Sequence, residues 1–141
     1  TVFRDRQVTN SNTNAKNGIR VLKSRNIDDS GKYILDIPNY DAYIDRAKLS
    51  NFAVSVYLDS DNVFLTPNMT YKPRVMRKPK GVLVNGSVAI LIPKRSIDIS
   101  DKQLEYFSSN EYRNFYQIAR NFQTRSLNVD SCSVYFYGLL K

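Results

Sequence analysis

Histidine is missing from this chain altogether. That removes Ser-His-Asp catalysis, histidine general bases and imidazole metal ligands together. Cysteine occurs once, at Cys132. A lone thiol supports neither an internal disulfide nor a paired-cysteine zinc motif, a usage that fits a reducing compartment and leads us to expect a cytoplasmic protein. The five glycines, at 18, 31, 81, 86 and 138, never come close enough together to build a phosphate-cradling loop. The longest apolar run, Val88 to Ile92, has the length of a buried strand and falls far short of a membrane span. The opening Thr1-Val2-Phe3-Arg4 carries neither Met nor a targeting pattern, so we expect an excised piece of something larger.

What is present is enough for one globular core. The chain has 141 residues, with ten Tyr and seven Phe, so it buries a core without staples. Its net charge of +8 is unevenly spread. Residues 1 to 61 hold nine basic and eight acidic side chains, and residues 98 to 141 hold five of each. Residues 62 to 97 hold seven basic side chains (Lys72, Arg74, Arg77, Lys78, Lys80, Lys94, Arg95) and no acid. A solvated surface normally mixes its signs, so this stretch points to a polyanionic partner, with a basic loop kept for solubility as the plainer alternative.

Residues 1 to 17 are polar and rich in Asn, and read as a linker or frayed terminus ahead of a single domain over residues 18 to 141. Ile19 to Lys23 and Tyr33 to Ile37 read as strands across the Asp28-Asp29-Ser30-Gly31 turn. Asp41 to Leu49 suggests a short helix with Asp41 near its start. The alternation Phe52, Val54, Val56, Leu58 favours a strand, although a helix is also possible. Val63 to Leu65 forms a short apolar piece. Val82 to Val84 and Ser87 to Ile92 read as two strands about a tight Asn85-Gly86 turn or bulge, and Pro73, Pro79 and Pro93 bound these pieces. Ser100 with Gln103, and Ser108 with Glu111, form two capping boxes. In the second helix Phe115, Ile118, Ala119 and Phe122 predict the buried face, leaving Arg113, Gln117 and Arg120 outward. Ser133 to Tyr137 reads as a last strand. The expected class is α+β: a mixed, mostly antiparallel sheet with a C-terminal helical pair.

Catalytic chemistry is hard to find. The pairs Asp28/Asp29, Asp59/Asp61 and Asp98/Asp101 sit in turns or at a helix start, where Asp serves local hydrogen bonds. Asp36-Ile37-Pro38-Asn39-Tyr40 departs from the Asn/Asp-Pro-Pro-Tyr/Phe motif of amino-methyltransferases in lacking the second Pro, and reads as a strand end.

The segment Thr66-Pro67-Asn68-Met69-Thr70-Tyr71-Lys72-Pro73-Arg74-Val75 carries amides, hydroxyls and cations on a chain stiffened by two prolines, a set that suits groove contacts. Its Thr66 to Arg74 part, with Asn85-Gly86-Ser87-Val88-Ala89-Ile90-Leu91-Ile92 and Thr124-Arg125-Ser126-Leu127-Asn128, resembles the C-terminal region of bacterial type II adenine-N6 DNA methyltransferases. Ile19-Arg20-Val21-Leu22-Lys23-Ser24-Arg25-Asn26-Ile27 resembles the opening of a target-recognition domain in methyltransferases and type I specificity subunits.

The resemblance implies a target-recognition-domain-like fold and a part in a restriction-modification system, reading double-stranded DNA. A catalytic domain N-terminal to it in the parent chain would bind S-adenosylmethionine and flip the adenine. This chain, without the cofactor loop or the Pro-Pro motif, is expected to hold no cofactor and to be inactive alone. Asn68, Tyr71, Arg74 and Asn85 are then the expected base readers. Thr70, Lys72, Arg77, Lys78, Lys80, Lys94 and Arg95 are expected at phosphates, and Arg113, Arg120 and Arg125 on the flanking backbone. Two other readings fit the composition. One is a stand-alone RNA- or single-strand-binding module with several exposed Tyr near the basic stretch. The other is a protein-interaction domain whose basic loop docks an acidic partner.

Overall fold

The computed structural model describes residues 1–70, 72–94, 99–119 and 127–128. Its architecture is α+β, as expected. Strands β1 (Val2–Phe3), β8 (Val88–Leu91), β4 (Phe64–Pro67) and β6 (Met76–Arg77) form a four-stranded antiparallel sheet in that order. A second sheet, ordered β3 (Ala42–Ile44), β2 (Ile19–Leu22), β7 (Val82–Val84), pairs β2 antiparallel with β3 and parallel with β7. A small ladder joins β5 (Met69–Thr70) to β9 (Leu127–Asn128). Helices α1 (Asp101–Phe107) and α2 (Asn110–Ala119) follow the last strand of the larger sheet.

The pleat of the four-stranded sheet divides its side chains between two cores. Leu65, Met76, Val88 and Ile90 join Val21, Leu22, Ile44, Leu83 and Val84 of the smaller sheet. Phe64 turns the other way, onto Val75, Phe107, Tyr112 and Tyr116. β4 and β8 are therefore covered on both faces, which is why they read as continuous apolar runs instead of alternating ones. Each large apolar side chain so buried contributes about 1.5–3 kcal/mol.

Several local expectations change. Val82–Val84 and Val88–Leu91 are strands, but not a hairpin: the Asn85-Gly86 turn is a corner that passes the chain from one sheet to the other. Residues 1 to 17 are not a loose end. β1 completes the larger sheet, Val8 is buried in the core, and the buried Asp5 carboxylate accepts the Val54 N–H at 3.0 Å. That last bond helps turn Phe52 to Leu58 into a 3-10 helix (Ala53–Tyr57), in which Val54 and Tyr57, three apart, pack on the core while Val56 stays exposed. The helix expected from Asp41 begins later, as a 3-10 helix (Arg46–Asn51) capped by Asp45, whose Oδ1 accepts the Ala47 N–H. Asp41 instead accepts from the Ile37 N–H and the Asn26 amide. Tyr33 to Ile37 makes only an isolated bridge, Ile34 to Ile27.

The capping box at Ser100 and Gln103 forms as read. At the second helix the cap shifts by one residue: Ser109 Oγ accepts the Tyr112 N–H, while Ser108 closes α1 and its Oγ accepts the Val75 N–H. The buried face shifts with it. Tyr112 and Tyr116 are inside, whereas Phe115 is 46% and Ile118 64% exposed. Ring contacts explain the change, because Tyr112 meets Tyr106, Phe107 and Tyr116 at centroid distances of 5.3–6.0 Å. Phe122 and the expected strand Ser133 to Tyr137 lie outside the described residues.

Candidate nucleic-acid interface

Because β4, β6, β7 and β8 run to and fro, the basic middle segment does not form one strip. β4 pairs antiparallel with both β6 and β8, and β7 runs parallel to β2. Asn68, Lys72, Arg74 and Asn85 therefore gather at one end of the sheets, and Arg77, Lys78, Lys80 and Lys94 at the other.

Two of the expected DNA contacts are interior. Arg74 is 7% exposed. Its Nε donates to the Ile27 carbonyl at 3.0 Å, Nη1 to Lys72 O at 3.0 Å and Nη2 to Ser24 O at 2.9 Å. Burial lowers its pKa, with Asp29 and Asp28 offsetting part of that cost. A guanidinium is well suited to this work, since its planar fork spans several carbonyls that a point charge would not. Arg74 thus positions backbone, and its place as a base reader is withdrawn.

Lys78 is 1% exposed, with Nζ donating to Leu58 O at 2.9 Å, Ser60 O at 3.3 Å and Pro79 O at 2.8 Å. It is an internal cap for a turn, not a phosphate contact. Burial pushes its pKa down to about 8, against the pull of Asp59 and Asp61. In the unfolded chain Lys78 keeps its proton up to its ordinary range near 10.5. Between those limits the unfolded state binds more protons, so this group's contribution to stability rises with pH. Urea denaturation at pH 7.5, 9 and 10 should show the wild type gaining on Lys78→Met by on the order of 1–2 kcal/mol. A constant difference would mean that Lys78 is not desolvated.

The other positions divide as follows. Arg77 is half-buried, donates from Nη2 to Ile99 O at 2.9 Å and lies 5.1 Å from the Phe64 ring. Lys80 is exposed but stands 3.6 Å from the Asp61 carboxylate, and Lys94 is exposed at the far end of β8. Arg113 is half-buried on α2. Thr70 lies on β5, while Tyr71, Arg95, Arg120 and Arg125 fall outside the described residues.

The near end carries cations that the charge count passed over. Lys23 Nζ stands 3.9 Å from the centroid of the Tyr40 ring, and the Arg25 guanidinium 4.9 Å from it. The Tyr40 hydroxyl accepts the Arg25 N–H at 3.3 Å, which fixes the ring against this turn. Such contacts hold cations in place without neutralising them. Beneath them the buried Asn26 ties the turn together: Oδ1 accepts the Lys23 N–H, and Nδ2 donates to Leu35 O and Asp41 Oδ1.

This turn is joined to the two polar segments by a chain of hydrogen bonds. Asn85 N–H donates to Leu22 O at 3.1 Å, Ser24 N–H to Ser87 Oγ at 3.1 Å, and Asn68 N–H to Ser87 O at 2.8 Å. Arg74 bridges Ser24 to Lys72 from below. Lys23, Arg25, Tyr40, Asn68, Lys72 and Asn85 thus share one edge. The signal that could have found the first two was in the sequence: Lys23-Ser24-Arg25 places two cations on a polar turn directly after a strand.

A cleft of about 370 Å³ lies elsewhere, between the Ser30–Lys32 turn, Val75 to Arg77 and the start of α1. Lys32 and Glu105 bridge at its rim at 2.7 Å; that hydrogen bond raises the Lys32 pKa and lowers that of Glu105. Their charges satisfy each other. Among the described residues no cluster of three His, Cys, Asp or Glu side chains is placed to hold a metal, and no helix is long and apolar enough to cross a membrane.

No protein-family model matches the chain, and a search of curated proteins returned no match.

Proposed function

We propose that this chain is a double-stranded DNA recognition domain of an adenine-N6 methyltransferase, acting beside a catalytic domain of the same parent chain that binds S-adenosylmethionine. The observation that carries the reading is the edge where Lys23 and Arg25, held on Tyr40, stand beside the Asn68 and Asn85 turns. Phosphate-seeking cations next to uncharged amides are the pairing that groove recognition needs: the first positions, the second specify. The methyltransferase-like strings around Ile19 to Ile27, Thr66 to Arg74 and Asn85 to Ile92 supply the Lys23–Arg25 turn and both polar segments at this edge. The burial of Arg74 removes one expected base reader and that of Lys78 one expected phosphate contact, and the Lys23–Arg25 turn adds two cations at this edge that the middle of the chain did not supply.

The single-strand reading is less well supported. It needs several Tyr on an open face, and of the described tyrosines only Tyr33 is exposed.

Fluorescence titration of a labelled duplex at several salt concentrations tests the proposal. With about three phosphates neutralised by Lys23, Arg25 and Lys72, log K should fall with log salt at a slope of about −3. The double variant Lys23→Ala/Arg25→Ala should flatten the slope by nearly two units, about 0.9 for each lost contact. Lys80→Ala and Lys94→Ala should leave it unchanged. A slope near zero for the wild type would rule out DNA binding, and tighter binding to the separated single strands would favour the stacking alternative.

A further inference from the structure

Two asparagines stand at the proposed DNA edge, and their surroundings make them chemically different. The Asn85 side-chain oxygen accepts twice, from the Ser87 N–H at 2.9 Å and the Ser87 hydroxyl at 2.5 Å. Its acceptor is occupied by its own turn, and only the amide N–H₂ remains for a ligand. Asn68 is half-buried and held through its backbone, its N–H donating to Ser87 O at 2.8 Å. Among the described residues its side chain makes no hydrogen bond, so neither the carbonyl oxygen nor the amide nitrogen is committed to the turn. A single amide offering donor and acceptor together matches one base edge in the major groove: adenine, with its N7 acceptor and N6 amino donor. A donor alone matches acceptors of any kind, including guanine O6 and N7, thymine O4 or a phosphate oxygen.

We propose that Asn68 reads an adenine through both groups of its amide, while Asn85 acts as a donor only and cannot make that choice. The inference rests on the DNA-recognition reading above and adds the base that one residue selects. Ser87 links the two asparagines to Ser24, so the Asn68 backbone is two hydrogen bonds, through Ser87, from the turn that carries Lys23 and Arg25. The cations therefore set its depth in the groove.

The test begins with selection of bound duplexes from a pool with a randomised core, using the wild type, Asn68→Ala and Asn85→Ala. The wild-type motif should contain an A·T pair whose preference disappears in Asn68→Ala and persists in Asn85→Ala. On the selected duplex, replacing that adenine by 7-deazaadenine, which lacks the N7 acceptor, should weaken wild-type binding about 5- to 100-fold and leave Asn68→Ala unaffected. The modified duplex uses the unaltered protein, so the result stands even if a variant folds poorly. Asn68→Asp, of the same shape, should also lose the adenine preference because it keeps only acceptors. If the wild type binds duplex with the expected salt slope but selects no such adenine, or Asn68→Ala keeps it, the assignment of Asn68 fails while DNA binding stands. If no duplex is bound at any salt concentration, both fall.

Discussion

Replacing Arg74 with alanine should cost about 3–5 kcal/mol of folding stability, measured as the shift in the urea unfolding midpoint. Each of the three carbonyls it serves, Ser24, Ile27 and Lys72, loses a charge-assisted donor, that of Ile27 in a buried place and those of Ser24 and Lys72 in partly buried ones. An unsatisfied buried acceptor costs about 1–3 kcal/mol, and the lost aliphatic stem adds a cavity. Relief from burying the guanidinium charge offsets part of this. Arg74→Lys should recover less than half, because one ammonium cannot span three carbonyls set around a planar fork. At a temperature where Arg74→Ala is still folded, the proposed DNA binding would weaken on all sequences alike, since the residue holds the Ser24 and Ile27 carbonyls beside the Lys23–Arg25 turn. An unchanged unfolding midpoint would show that the guanidinium is in solvent and would return it to the list of direct contacts.

The second large effect is expected from Asn26→Asp, a change of one atom. Asn26 is fully buried, and its Nδ2 donates to the Leu35 carbonyl at 2.9 Å and the Asp41 carboxylate at 2.7 Å. A carboxylate there would turn both contacts into oxygen against oxygen, one of them charged against charged. The pKa of the new acid should rise well above the ordinary value near 3.9 in the folded state. The unfolded chain then binds fewer protons between roughly pH 4 and 7, so stability falls as pH rises through that window. The variant should be destabilised by about 3–5 kcal/mol at pH 7 and by distinctly less at pH 4.5, where the protonated acid again donates one hydrogen bond. Equal losses at both pH values would mean that the site is open to water. Because the same residue accepts the Lys23 N–H, its loss at neutral pH would also weaken the proposed DNA binding.

Much of the fold was legible where hydrophobicity and capping act locally. The strands at Ile19, Val82 and Val88 and the Ser100 cap each rest on residues next to one another, and each formed. What failed to read through was decided by distant partners. Nothing near Phe52 announces that the Asp5 carboxylate will take the Val54 N–H. Tyr112 and Tyr116 lay outside the face read from Phe115, Ile118, Ala119 and Phe122, although their rings pack as an aromatic cluster. The site suffered most from the same cause. Arg74 and Lys78 look alike in a charge count and identical to free surface cations, but carbonyls from Ser24, Ile27, Leu58 and Ser60 claim them. A run of positive charge in sequence becomes a surface patch only if the chain carrying it stays on one side, and here it crosses the sheets repeatedly.

The pairing of the two sheets also governs how the chain must assemble. β1 meets β8 with Val2 opposite Leu91, and β2 meets β7 with Arg20 opposite Val82, so the closing loops span roughly ninety and sixty positions. Neither sheet can be completed from neighbouring segments. Refolding should accordingly be governed by late, long-range encounters and fall in the millisecond-to-second range typical of non-local β topologies. During synthesis the apolar edge of β4 waits, unpaired, until Val88 to Leu91 has left the ribosome. A nascent chain stalled before that point exposes its strands to one another and to neighbouring chains, which makes passage of the Asn85-Gly86 corner and the strand after it the step that closes this edge of β4.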